Sequence, residues 1–177
     1  MEKEIITSAQ NPKIKRLIQL QQKSAERRSC GLFVVEGARE VLHCLHSGYA
    51  LDTLFVCPEI LKGYEGAAEL LALVNEGHGY EVSPKVYSRV AYREGTEGVI
   101  AQMKVRTTCL EDLSLPENPL IMVLERVEKP GNLGAVLRSA DAAAADAVIV
   151  CDPLTDLYNP NLIRSSLGAV FTVPTVA

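Results

Sequence analysis

The residue pattern predicts an α/β fold in two units, and three observations carry the prediction. From Leu32 onward, short apolar runs alternate with stretches of helical period; residues 106–119 then lose that period; and a second alternating series starts at Leu120. Taken in order, Asn11-Pro12 is a helix opening, a capping side chain followed by proline in the first turn, and Ile14, Leu17, Ile18 and Gln21 follow the helical spacing. Leu32 to Val35 reads as a strand, Ala38 to Ser47 as a helix closed by Gly48, and Leu54 to Cys57 as a strand. Ala67 to Asn75 is a helix ended by Gly77, Tyr80 to Val82 a short strand, Pro84 to Val90 a helical turn, and Val99 to Lys104 a last strand. These elements make a small three-layer domain.

Residues 106–119 carry two prolines and several capping residues, which suits a linker. Beyond it, Leu120 to Leu124 reads as a buried strand and Lys129-Pro-Gly-Asn as a loop. Leu133 to Ala145 is a helix of small residues, and Val148 to Cys151 is a strand. Asn159-Pro160 opens a short helix to Leu167, and Val170 to Val176 begins a further strand. Three strands with two helices make a poor core on their own, so the expectation is a chain that stops inside a domain.

Composition bounds the function classes. With 47% hydrophobic and 23% charged residues in 177, the chain has ample apolar material for a core. A formal net charge of -4 gives no general attraction to nucleic acid, so any RNA contact needs a local basic surface. Residues 1–29 offer one: Lys3, Lys13, Lys15, Arg16, Lys23, Arg27 and Arg28 oppose only Glu2, Glu4 and Glu26. The solvated face of a surface helix accounts for the same charges. Cys30, Cys44, Cys57, Cys109 and Cys151 form no C-x-x-C pair, so neither a zinc knuckle nor a disulfide framework is indicated, and a reduced, cytoplasmic protein is expected. The start, Met1-Glu-Lys-Glu, lacks the order of a signal peptide, and no apolar run approaches the roughly 20 residues that span a bilayer. His43, Cys44 and His46 sit on one amphipathic helix with no further ligand at metal spacing, so no metal is expected.

The most informative segment is residues 124–142, which puts Gly131 and Gly134 in a loop at the C-terminal end of a parallel strand, where open α/β sheets place ligands. The glycines would let a substrate or another backbone come close, and Asn132 is placed to cap the following helix. A well-capped strand-to-helix turn is the bland alternative. The spacing is not the G-x-G-x-x-G of dinucleotide folds, and no P-loop Lys-Ser or Lys-Thr follows a glycine, so both phosphate motifs are excluded. Arg138 is the only charged residue between Lys129 and Asp141. It reads either as a functional group or as half of an i, i+3 ion pair with Asp141.

Residues 124–142, with Asp146-Ala-Val-Ile-Val after them, resemble motif 1 of the SpoU/TrmH (SPOUT) RNA methyltransferases: an acidic residue, then Lys-Pro-x-Asn-Leu-Gly-Ala-x-x-Arg-Ser-Ala-Asp. Residues 159–171, with Ser166-x-Gly168-Ala169, resemble the helix that follows in that family. In the front half, Phe33-Val-Val-Glu36-Gly37, Val41-Leu42 and Ser47-Gly48 are similar to the family's L30e-like substrate-binding domain, as is the segment Gly95-Thr-Glu-Gly-Val-Ile-Ala. The resemblance implies an L30e-like RNA-binding domain over 1–105, a linker over 106–119, and the first half of a knotted methyltransferase domain over 120–177.

It further implies S-adenosylmethionine as cofactor, structured rRNA or tRNA as substrate, methylation of a ribose 2′-hydroxyl, and a homodimer. The family binds its cofactor in a trefoil knot built by later segments, a glycine-rich motif 2 and a Ser-Leu-Asn motif 3, before which this sequence ends. The chain alone is therefore expected to lack most of the pocket and to be inactive. A second departure is Ala144, where relatives often carry glycine.

By resemblance Arg138 belongs to the catalytic centre, with Asn132 positioning it or the ribose and Glu125, Gly131, Gly134, Ser166 and Gly168 in support. A hydroxyl bonded to backbone at a helix end is the other reading of Ser166. Because arginine stays protonated, orienting a phosphate and stabilising the oxyanion fit Arg138 better than acting as a base. Lys13, Lys15, Arg16, Arg27, Arg28 and Arg39 are the expected RNA contacts. A non-catalytic RNA-binding module is the competing reading, and S-adenosylmethionine binding distinguishes the two.

Overall fold

The computed structural model describes residues 5–92 and 97–177, and the chain divides into two units, Met1–Val105 and Arg106–Ala177. Lys3, Gly95 and Thr96, which entered the sequence reading, lie outside the described residues. In the first unit, helix α1 (Pro12–Gln22) starts where its capping residue stands, with the Lys13 N–H donating to Asn11 Oδ1 at 2.9 Å. Ile14, Leu17 and Leu20 form its buried stripe. Gln21, expected in that stripe, instead donates its Nε2 to the Val90 carbonyl at 2.9 Å. Helix α2 (Ser24–Cys30) follows as a separate element and closes on Gly31 at φ +62°.

The strands are β1 (Ile5–Ile6), β2 (Leu32–Glu36), β3 (Leu51–Val56), β4 (Gly79–Val82) and β5 (Val99–Lys104), in sheet order β1-β4-β3-β5-β2. Between them run α3 (Ala38–His46), the single turn α4 (Pro58–Leu61), α5 (Ala67–Asn75) and α6 (Pro84–Val90). β1 and α4 are too short to leave a period in the sequence, and neither was anticipated. β5 pairs antiparallel with both β2 and β3, whereas β4 pairs parallel with β1 and β3. Leu32, Val34, Phe55 and Ile100 pack with Ile14, Leu17, Val86 and Tyr87 on one face. Phe33 and Val35 alternate to the other face, which α3 and α5 cover. Burial on both faces explains why these strands read as nearly continuous apolar runs.

In the second unit, β6 (Ile121–Glu125), β7 (Ala147–Cys151) and β8 (Thr175–Val176) form a parallel sheet in that order. Helices α7 (Pro130–Ala142), α8 (Pro160–Ser166) and α9 (Ala169–Thr172) pack together. Leu120 and Asp146 lock the entry to β6: the Leu120 N–H donates to the Asp146 carboxylate at 2.8 Å, and the Asp146 N–H donates to the Leu120 carbonyl at 2.9 Å. The strand expected from Val170 to Val176 is instead a helical turn followed by two strand residues. Val170 and Phe171 are buried, and a short apolar run carries no period that separates a buried strand from a buried turn. Val123, Ile149 and Val176 line up across the three strands on one face, with Val123 63% exposed.

Ala144, in the turn after α7, has φ +52°. An L-residue other than Asn or Asp sits there at a cost of about 1 kcal/mol relative to glycine. Ala144→Gly should therefore raise the denaturant midpoint of this unit by about 0.5–1 kcal/mol equivalent, with an unchanged m-value. A lowered midpoint would show that the turn is not strained.

Candidate active site at the ends of strands β6 and β7

The C-terminal ends of β6 and β7 stand side by side, Glu125 opposite Cys151 in register. The residue after each strand turns into the left-handed region, Arg126 at φ +52° and Asp152 at φ +45°. The Arg126 N–H donates to the Cys151 carbonyl at 3.0 Å and holds the two exits together. Asp tolerates this conformation through its short polar side chain; arginine has no such excuse, and nothing in the sequence marked position 126. Glu125, Arg126, Cys151 and Asp152 are all exposed.

From this edge the chain enters α7 sooner than expected. Lys129-Pro-Gly-Asn is not a loop: Pro130 is the first helical residue, as its fixed φ favours, and Lys129 is the N-cap without a side-chain bond. Asn132 is thus not the cap but a first-turn residue whose N–H donates to the Lys129 carbonyl at 3.0 Å. Arg138 lies six residues on, about 9 Å along the axis and on a different strip of the helix, and no bond joins it to Asn132 among the described residues. Asn132 therefore does not position Arg138 directly.

Gly134, Arg138 and Asp141 follow at i, i+4 and i+7 on one strip. Gly134 is buried against α8. A Cβ there would collide with Ser165 Oγ and lie 2.8 Å from the Leu162 carbonyl oxygen and 2.9 Å from the Ser166 nitrogen. Its missing side chain thus admits a neighbouring backbone, whereas Gly131 faces open space with nothing within 4 Å. Arg138 is exposed. The ion pair with Asp141 does not form; the Asp141 carboxylate accepts from Thr172 Oγ1 at 3.3 Å instead.

Ser166 is fully buried. Its hydroxyl donates to the Ile163 carbonyl at 2.8 Å and accepts from the Val170 N–H at 3.4 Å, the backbone-bonded arrangement. Gly168, at φ +90°, opens α9 and is buried. The loop after β7 is ordered by its own side chains: the Asp156 carboxylate accepts the Tyr158 N–H at 2.8 Å, and Asn159 caps α8 through the Asn161 N–H at 2.9 Å. Tyr158 went unnoticed in the sequence, because its partner is 52 positions away.

On the first unit, Lys15, Arg16, Arg28 and Arg39 are exposed. Lys13 holds its Nζ 3.9 Å from the centre of the Tyr80 ring. Arg27 departs from the expected RNA-facing set. It is 2% exposed, and its guanidinium donates to the Leu20 carbonyl at 2.7 Å and the Gln21 carbonyl at 3.3 Å, capping the end of α1. Arg39 heads α3, where the Glu97 carboxylate accepts the Ala38 N–H at 2.5 Å and the Arg39 N–H at 3.4 Å. Among the described residues no three His, Cys, Asp or Glu side chains converge on a metal position, and no helix is long and apolar enough to cross a membrane.

Residues 11–101 match the MRM3-like substrate binding domain, and residues 119–177 match the SpoU rRNA Methylase family. The chain belongs to the SpoU methylase family. Among curated SpoU relatives, it is 30% identical over 178 residues to the 23S rRNA guanosine 2′-O-methyltransferase RlmP of Bacillus subtilis, spanning 97% of this chain and 64% of that protein. A crystal structure of an RNA 2′-O ribose methyltransferase superposes with a TM-score of 0.81 at 38% identity, covering 98% of this chain and 65% of the other. An AdoMet-bound rRNA methyltransferase from Sinorhizobium meliloti gives 0.84 at 29% identity, covering 98% and 64%. The chain spans less than two thirds of the length of each. The fold of both units is thus a SpoU methyltransferase fold, and the motif on β6 and α7 lies within the part matched by the SpoU model.

Proposed function

We propose that this protein transfers a methyl group from S-adenosylmethionine to a ribose 2′-hydroxyl of rRNA or tRNA. One observation carries the reading: within the SpoU-matched segment, Arg138 stands exposed and, among the described residues, without an ion pair, one turn from Gly134, on the helix that leaves the C-terminal edge of the parallel strands. S-adenosylmethionine, when bound, supplies a methyl already activated on a sulfonium. Glu125, Cys151 and Asp152, at the strand ends, are all exposed. The 2′-oxygen gains negative charge as its proton passes to solvent water. A permanently protonated guanidinium at Arg138 orients the adjoining phosphate and stabilises that charge through charge-assisted hydrogen bonds. Asn132 and Glu125, exposed at the start of α7 and the end of β6, face solvent from which a ribose approaches, and Gly134, Ser166 and Gly168 support them by fixing the α7–α8–α9 packing.

The test is transfer of labelled methyl to protein-free rRNA and to tRNA, for the 177-residue chain and for the product of the complete reading frame. Incorporation lost when the 2′-position is blocked supports the reading; RNA binding with no incorporation by either form refutes it in favour of a non-catalytic RNA-binding module.

In this reading residues 1–105 form the RNA-binding unit, on an L30e-like plan, residues 106–119 connect it, and the methylase unit starts at 120. The protein works in the cytoplasm and as a homodimer; the exposed Val123 beside Ile149 and Val176, apolar surface on a sheet type that is ordinarily covered on both faces, supports the dimer. Lys13, Lys15, Arg16, Arg28 and Arg39 meet phosphates, while Arg27 does not. Replacing Lys15, Arg16 and Arg28 together with glutamine should lower the slope of log affinity against log salt by about 2–3. An unaltered slope would mean that these charges only solvate the helices.

A further inference from the structure

We infer that the chain articulates between its two units at a single residue, Val105, and that Tyr158 is the positioning residue that leaves no slack on the far side of it. The Val105 N–H donates to the Gly31 carbonyl at 2.9 Å, and the Lys104 N–H before it to the Ala50 carbonyl at 2.9 Å. The peptide entering Val105 therefore belongs to the first unit. The next residue is already held by the second: the Arg106 N–H donates to the Tyr158 hydroxyl at 3.3 Å, and that hydroxyl donates to the Arg106 carbonyl at 2.6 Å. One tyrosine oxygen thus satisfies both backbone groups of one residue.

Tyr158 is itself fixed by the Asp156 turn and the capped start of α8. At its other end the segment that follows Arg106 is tied down by the reciprocal Leu120–Asp146 bonds, with a one-turn helix at Leu110–Asp112 between. Residues 106–119, which read as a linker in the sequence, are bonded at both ends within the second unit. Only the φ and ψ of Val105 remain between the two anchored peptides, and a β-branched side chain narrows both. The loop that bears Tyr158 is the one leaving β7 at the candidate site, so the pivot and the site share one support.

Two readouts on the intact chain test this. Spin labels on the exposed thiols Cys30 and Cys151, with Cys109→Ser, report the spread of distances between the units; Cys44 and Cys57 are buried and stay unlabelled. Trypsin reports opening at Arg106, with exposed Arg164 on α8 as the control site. Tyr158→Phe, which removes both bonds, should broaden the distance distribution and speed cleavage after Arg106 by at least about fivefold, the factor for the first of the two neutral hydrogen bonds lost, while cleavage at Arg164 keeps its rate. Val105→Gly should broaden the distribution with no change at Arg106. A wild-type distribution already as broad as that of either variant, unchanged cleavage at Arg106 in Tyr158→Phe, or equal acceleration at Arg106 and Arg164 would each overturn the inference.

Discussion

Replacing Gly134 with alanine should lower the thermal midpoint of the second unit markedly, although alanine is the better helix former. Propensity alone favours alanine by about 1 kcal/mol. Against this, the added Cβ would sit 2.8 Å from the Leu162 oxygen and 2.9 Å from the Ser166 nitrogen, backbone atoms of α8 that cannot swing aside as Ser165 Oγ can. Overpacking of this kind costs about 1–3 kcal/mol and occasionally more. In a unit of this size each kcal/mol moves the midpoint by about 4–8 °C. Gly131→Ala in the same helix meets nothing within 4 Å and should be stabilising, so calorimetry on the pair isolates the contact from propensity. A midpoint for Gly134→Ala equal to or above wild type would mean that α7 and α8 do not approach as described, and the support given to Ser166 and Gly168 would go with it.

Arg138→Ala should cut methyl transfer by about 10²–10³, the loss seen when one donor to a developing oxyanion is removed, while the unfolding midpoint stays within experimental error. The side chain is exposed and, among the described residues, pairs with no carboxylate, so its removal leaves no buried group without a partner. Arg138→Lys keeps the charge but loses the planar fork, and should recover only part of the rate if phosphate orientation matters. Full activity in the alanine variant would remove Arg138 from the chemistry. A midpoint that falls together with activity would reassign it to packing of the second unit.

The elements that could be read from residue order are those governed by neighbours in the chain. Asn11-Pro12, Ser83-Pro84 and Asn159-Pro160 start helices because a side-chain oxygen two or three residues back takes a free N–H and proline supplies the first φ. The strands with both faces covered announced themselves as apolar runs, and the segment 124–142 marked the candidate site through its family pattern. The errors fell where the deciding partner is remote or where two local rules compete. Asn132 looked like a cap, but the proline two positions earlier already suits the first helical turn. Arg27 looked like surface charge because nothing in its own turn shows that the end of α1 folds back over it.

Residue order alone therefore settled the fold class and most helix starts, since capping, proline geometry and hydrophobic period act over a few residues, and it pointed to the family only through the resemblance of residues 124–142 to a known motif. Tertiary structure alone decided that Gly134 serves α8 rather than a ligand, that Ala144 sits in a left-handed turn, that Ser166 is bonded to backbone, and that Tyr158 grips Arg106. The contacts of Gly134 and Tyr158 depend on where a second segment lies once the sheet has formed, and the short-range forces that write helix starts into a sequence do not reach that far; Ser166 and Ala144 are settled within a turn, between local alternatives that residue order left open.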